Sequence, residues 1–357
     1  MRRKRLRIII KDPKDDERRK RQRIQKIPYD KKVEYAKKAI AEYANHYNGM
    51  VFVEYGGGIK SDALAHLARS VNPHIRLVYI DNGCDYEEIR QHALKKADII
   101  RTPEYDIRKA ITEYGYPFLG RRIDTSLERL NEWGGERSIV NSFRYLADTP
   151  YETVSEITQE SLDEIEWLHA DFNISCACCD LLYKKPIAKV KGSMRMAGIS
   201  PHLASDSRQV IRSFFEDNES ECHFKKDRTK SRCYPFTRWY RTDIIRYLEE
   251  NNIDYCKEYY GDIIRKEGKT KPLHSLAKKG RSSCKYCPYG SFSRGHMHPK
   301  NKWEQMKTEH PNDYRKIIGG GDYVNGVWKP NRKGLGFAHI FDYIANQLRD
   351  NKYLEYK

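Results

Sequence analysis

Three glycines and a serine, in Gly56-Gly57-Gly58-Ile59-Lys60-Ser61, stand between an apolar run at residues 50–55 and a helical pattern. Backbone N–H groups without side chains in front of them, at the positive end of a helix dipole, suit a phosphate. The spacing is neither GxxxxGKS/T nor GxGxxG, and taken alone the run also reads as a tight turn. A second set of reactive residues is the nine cysteines, at 84, 176, 178, 179, 222, 233, 256, 284 and 287. Cys284-x-x-Cys287 has the spacing of two ligands to one metal centre and needs two more thiolates. Cys178 and Cys179 are the obvious donors, with Cys176 and Cys222 in reserve. A tetrahedral structural zinc and a 4Fe–4S cluster both fit, and spacing does not separate them. Cys84, Cys233 and Cys256 read as small core residues.

The elements that must position these residues are legible in the first third of the chain. Val33, Ala36, Ile40, Ala44 and Tyr47 recur at helical spacing before the strand-like run at 50–55, and Ala63, Leu64, Leu67 and Ala68 share a helix face after the glycines. A strand at 77–80 ends in Asp81-Asn82-Gly83, a helix follows at 86–96, and a third strand at 98–100. Strand, helix, strand, helix, strand predicts an α/β fold with a doubly wound parallel sheet. Ligands of such sheets bind beyond the carboxyl ends of the strands, where the glycine run and Asp81 fall. Further on, helices are expected at 162–169, at 241–251 with Thr242 as its candidate cap, and over Phe337, Ile340, Phe341, Ile344 and Leu348. Residues 257–302, rich in Lys, Arg, Gly and Ser, read as a loop-built module around the CxxC pair. The expected organisation is a basic extension over 1–32, the α/β domain over 33–256, and a Cys-containing C-terminal module over 257–357.

The chain has 357 residues, with 67 Lys and Arg against 50 Asp and Glu, a net charge of +17. Residues 1–32 hold fifteen of the cations and five of the acids, so more than half the surplus lies in under a tenth of the length. The extension reads either as a basic arm for DNA or tRNA phosphates or as a solvated terminus. No run approaches the roughly 18 apolar residues of a membrane helix, so no membrane partner and a cytoplasmic location are expected. An odd cysteine count without a signal-peptide core argues against a disulfide framework.

Residues 55–61 resemble the PP-loop of the N-type ATP pyrophosphatases and phosphoadenosine phosphosulfate (PAPS) reductases, usually written SGGxDS, and more closely its GGGxxS variant among phage and bacterial members. Gly57, Gly58 and Ser61 match, while Gly56 replaces Ser and Lys60 replaces Asp. The similarity continues in family order from about residue 32 to about 343. Asp81-Asn82-Gly83 resembles the Asp-Thr-Gly that contacts nucleotide, and residues 114–118 resemble Tyr-Gly-Tyr-Pro. Residues 178–186 resemble CCxxLKxxP with Tyr183 for the Lys, and Ser205-Asp206-Ser207-Arg208 with Arg212 resembles the Glu-Ser-Arg stretch. Trp239, Asp243 and Tyr247 sit like the W…D…Y helix, and residues 284–290 resemble GCxxCxxG with Ser283 in its first position.

The resemblance implies an adenine nucleotide alpha hydrolase-like, Rossmann-like fold. It implies a site for ATP or PAPS with Mg built from Gly56, Gly57, Gly58, Lys60, Ser61, Asp81, Asn82 and Gly83, with Arg208, Arg212 and Lys184 supplying positive charge. It favours the 4Fe–4S cluster over zinc, through Cys178, Cys179, Cys284 and Cys287, with Cys222 at the position of a cysteine in phage-type members. No catalytic residue is singled out. Two reactions are implied. The first is adenylation by ATP with loss of pyrophosphate, followed by sulfur transfer, as in DNA phosphorothioation and tRNA thiolation, with a cysteine desulfurase as sulfur source. The second is thioredoxin-dependent sulfonucleotide reduction, whose usual nucleophile is a cysteine in a C-terminal tail. No cysteine follows Cys287, so adenylation is the expected chemistry. A reading from another class is a non-catalytic, nucleotide-sensing nucleic-acid-binding protein.

Overall fold

A computed structural model describes residues 15–131, 166–266, 273–278, 284–289 and 302–348. The chain divides into two units, one drawn from Lys11–Glu104 and Tyr183–Lys285, the other including Tyr105–Leu182 and Tyr286–Lys357. The first unit is the expected doubly wound sheet. Its helices α1 (Asp15–Gln25) and α2 (Tyr29–His46) lead into β1 (Val51–Tyr55), α3 (Ile59–Val71), β2 (Arg76–Ile80), α4 (Glu87–Lys96) and β3 (Ile99–Arg101). After the excursion of the second unit come α5 (Lys185–Met194), β4 (Ala197–Ile199), α6 (Arg208–Glu216), β5 (Cys222–His223), β6 (Arg232–Cys233) and α7 (Arg241–Glu250).

The strands lie in the order β3-β2-β1-β4-β6-β5. All pairings are parallel except that of the edge strand β5 with β6. Every residue of β1 is buried, as a central parallel strand covered on both faces requires. Phe52, Val78 and Ile80 pack on Ile187 and Val190 of α5. Alternation turns Val51, Val53 and Tyr55 to the opposite face, where the Tyr55 hydroxyl donates to Asp62 of α3 at 2.6 Å. Order runs outward from β1 in both directions, which makes the carboxyl ends of β1 and β4 the topological switch point.

The second unit is mainly helical, with helices Ile107–Tyr114, Arg121–Asn131, Lys302–Glu309, Pro311–Ile318 and Phe337–Leu348 and a hairpin of Asp322–Val324 with Val327–Lys329. Its core is aromatic: the buried Tyr116 ring meets Phe337 at 5.3 Å and Phe172 at 6.0 Å, both edge-on.

After β3 the chain leaves the sheet and buries Tyr116 and Phe118 with residues from its C-terminal third. Three expectations change. Residues 15–25 and 29–32 are helical and part of the sheet unit: Ile24 packs with Ala204, Ile211 and Phe214, and the Lys32 ammonium is buried 2.6 Å from Asp243. Thr242 lies inside the first turn of α7 rather than capping it, since the carboxylate of Asp243 accepts from the Tyr240 backbone N–H at 2.8 Å. Residues 257–302 are not all loop, for Ile263–Lys266 and Leu273–Leu276 pair antiparallel. Of the helix expected at 162–169, only a 3-10 turn at Glu166–His169 lies in the described residues. Among the described residues no helix is long and apolar enough to cross a membrane.

Candidate functional site

The glycine loop occupies the switch point, directly between β1 and α3. Gly57 has φ +67°, and a Cβ there would stand 2.7 Å from the carbonyl oxygen of Ile89 and 2.8 Å from the Cβ of Ala93. Only glycine satisfies both the left-handed backbone and the approach of α4. Gly58 is extended and its carbonyl accepts from the Asp62 N–H at 3.0 Å, opening the helix. The Ser61 hydroxyl reaches back to accept the Gly56 N–H at 3.0 Å. The loop is therefore closed by its own serine, with the first turn of α3 at its base.

Behind the loop, the Asp62 side chain is fully buried. Its Oδ1 accepts from Tyr55, both its oxygens lie 3.1 Å from His92 Nε2, and Lys96 Nζ is 3.4 Å away. This network ties β1, α3 and α4 together beneath the glycines. In front, Lys60 Nζ pairs with Asp206 at 2.6 Å, so this cation is neutralised by the segment after β4. The Lys60 ammonium beside it holds the Asp206 carboxyl below its usual range despite desolvation. In the same segment Ser200 hydrogen-bonds Nδ1 of His202, whose pKa is lowered by desolvation first and by Lys60 next.

At the end of β2, Asp81 is clasped by Arg90 at 2.8 and 2.7 Å and held below the usual carboxylate range chiefly by that bond. Asn82 Oδ1 accepts the Cys84 N–H at 2.9 Å across Gly83, whose φ is +68°. Asp85 accepts from the Tyr79 hydroxyl at 2.8 Å. Desolvation and the neighbouring Asp81 push its carboxyl up to about 6, outweighing that hydrogen bond. A carboxyl whose folded pKa is raised favours folding while protonated, so this stabilisation is lost as pH rises from the ordinary Asp value, about 4, through about 6. Asp85→Asn is expected to flatten the fall in melting temperature between pH 4.5 and 7, measured by scanning calorimetry.

Gly56, Gly57, Gly58 and Ser61 thus come together as one loop, Lys60 joins it to the 205–208 motif, and Asp81, Asn82 and Gly83 follow the neighbouring strand. Ser207 caps α6, accepting the Gln209 N–H at 3.2 Å. Arg208 is the first residue of that helix, with its side chain outside the described set, while Arg212 and Lys184 are exposed. Trp239, Asp243 and Tyr247 fasten α7: Trp239 Nε1 donates to the Lys32 carbonyl at 3.2 Å, Asp243 pairs with Lys32, and the Tyr247 hydroxyl lies 3.0 Å from His66 Nδ1. Sequence reasoning passed over Asp62, Arg90, His92, Asp85 and His202. Asp62 carried a signal, a carboxylate one position before the apolar face of α3, whereas nothing in the sequence pairs Arg90 with Asp81.

Among the expected metal ligands, Cys178 is buried and Cys179, Cys284 and Cys287 are half-buried. Cys222 is buried against Cys233, Sγ to Sγ 3.3 Å, on the paired strands β5 and β6. Among the described residues no group of three His, Cys, Asp or Glu is placed to hold a metal ion.

No protein-family model and no curated protein matches the sequence. Solved structures similar to the chain include a phosphoadenylyl-sulfate (PAPS) reductase from Candida auris in phosphate complex, at 10% identity over 71% of this chain and 95% of that one, TM-score 0.34. NAD+ synthetase from Burkholderia pseudomallei is similar at 12% identity over 67% and 84%, TM-score 0.34. The U34-tRNA thiolase NcsA from Methanococcus maripaludis, with its 4Fe–4S cluster, is similar at 11% identity over 63% and 66%, TM-score 0.32.

Proposed function

We propose that the loop Gly56–Ser61 binds the phosphates of ATP and that the protein is an adenylating enzyme of the PP-loop kind, coupled to sulfur transfer. The observation that carries this reading is the position of the loop: a glycine run without side-chain obstruction, at a helix N-terminus and at the switch point of a doubly wound sheet. An acceptor oxygen attacks the α-phosphorus, the bond to the bridging oxygen breaks, and pyrophosphate leaves. A sulfur nucleophile then displaces AMP from the acceptor carbon. The residues of this chain bind and orient: the loop amides take the phosphates, Ser61 fixes the loop, and Lys60, held by Asp206, is a cation that an incoming phosphate can recruit.

The test is ATP turnover followed by pyrophosphate and AMP release, with and without DNA or tRNA. Stoichiometric release of both supports adenylation, and hydrolysis to ADP, or no turnover, overturns it. Ser61→Ala, which frees the Gly56 N–H but leaves the glycines, is expected to raise the KM for ATP about tenfold, the loss of one hydrogen bond to the loop.

A further inference from the structure

The second unit carries a basic groove remote in sequence from the glycine loop. A shallow depression open to solvent, of about 450 Å³, is lined by Arg108, Pro330, Asn331 and Arg332. Arg108 is half-buried and donates to the Gly334 carbonyl at 3.3 Å, while Arg332 and its neighbour Lys333 are exposed. Among the described residues none of these three cations has a carboxylate partner.

The loop that presents them is rigid. A Cβ on Gly334 would stand 2.0 Å from the Gly319 carbonyl oxygen, and one on Gly320 2.3 Å from the Gly334 nitrogen, so two backbone strands are in contact. Asn331 bridges them, its amide donating to the Gly321 carbonyl at 2.9 Å and its Oδ1 accepting the Lys333 N–H at 2.9 Å. The adjoining hairpin displays Tyr323, 52% exposed, with its hydroxyl held by Asp171. Unpaired guanidinium groups in a fixed frame match phosphodiester oxygens, and an exposed tyrosine on a rigid hairpin is a stacking platform for a base.

We propose that this groove binds single-stranded nucleic acid, with Arg108 and Arg332 on successive phosphates and Tyr323 under a base. The assignment is independent of the ATP reading and places nucleic acid on a preformed surface of the second unit rather than on the N-terminal extension alone.

The experiment measures fluorescence anisotropy of a labelled, mixed-sequence 20-nucleotide DNA strand with the full chain, without nucleotide, between 50 and 200 mM salt. Arg108→Ala with Arg332→Ala is expected to weaken binding about tenfold and to reduce the salt slope by about 1.4, the counterions of two single-strand phosphates. Tyr323→Ala is expected to weaken binding about fivefold with the slope unchanged. The double Arg-to-Lys variant, which keeps charge, should retain the slope and guards against misfolding as a cause. Binding within twofold of the parent in the double alanine variant overturns the proposal. So does equal competition by poly-glutamate of the same charge, which would mean that the groove reads charge alone. Failure of ATP turnover leaves this measurement readable, because the probe binds without ATP.

Discussion

Alanine at Gly57 is expected to abolish nucleotide-dependent turnover, by at least a hundredfold in kcat/KM. Two effects act together. At φ +67° an alanine pays about 1–2 kcal/mol for the left-handed backbone. Its methyl group would also lie 2.7 Å from the backbone oxygen of Ile89 and 2.8 Å from Ala93, neither of which is the far end of a flexible chain. Either the loop flattens out of its phosphate-binding shape or α4 moves off the sheet, and α4 carries Arg90 and His92, which hold Asp81 and Asp62. Both outcomes dismantle the site. Isothermal titration with ATP, beside a thermal melt, separates them: a flattened loop loses binding with a small change in melting temperature, and a displaced helix loses both. Gly56→Ala is the control for stability alone, because a Cβ there meets only the Ser61 hydroxyl at 3.6 Å and φ is not in the left-handed region. An active Gly57→Ala protein would remove the loop from the mechanism.

Gly57 also marks how far the sequence could be read. The strand, the glycines and the helix were visible because each is local: a buried run of five, three residues without side chains, then an apolar face at helical spacing. Which glycine is indispensable depends on α4, thirty residues away, and that contact has no local signature. The same holds for charge. Lys60 reads in sequence as a cation added to the phosphate cradle, but its partner Asp206 arrives through β4, 146 positions along. Lys32 reads as one of the charges of a basic arm and is instead buried with Asp243, because the first turns of α2 and α7 meet at this pair. Composition counts charges and cannot pair them. The division into units was illegible for a related reason. Residues 105–182 interrupt the sheet between two adjacent elements of the pattern, and their aromatic core is completed only by Phe337 and its helix.

The pair beneath the site is the place where loss of a single side chain should cost most stability. Glu54 of β1 and Lys191 of α5 are 10% and 6% exposed and 2.7 Å apart. Glu54 points to the α5 face of the sheet, the face of Phe52, where a hydrocarbon environment disfavours an isolated charge. Desolvation alone would raise the Glu54 carboxyl, but Lys191 above all, then His202 and Arg232, hold it below its ordinary value. The pair fills the space beside the neighbouring strand: a Cβ on Gly198 of β4 would stand 2.6 Å from Glu54 Oε1 and 2.8 Å from Lys191 Nζ, so a side chain there would displace the pair. Lys191→Met leaves an uncompensated buried carboxylate and is expected to cost about 3–5 kcal/mol in urea unfolding at pH 7. Glu54→Gln with Lys191→Met removes both charges and is expected to recover most of that loss. The sign of the pH dependence follows from the depressed carboxyl pKa. Stability from the pair is fully present above the ordinary Glu value of 4.5 and is lost as pH falls below it through the folded value. The parent should therefore lose stability as pH falls below 4.5, the Lys191→Met protein should gain stability as pH falls toward 4.5 and Glu54, raised by burial, takes up a proton, and the double variant should follow neither course. Equal stability of the parent and Lys191→Met at pH 7 would show that water reaches Glu54 and that the sheet beneath the glycine loop is less closed than its burial indicates.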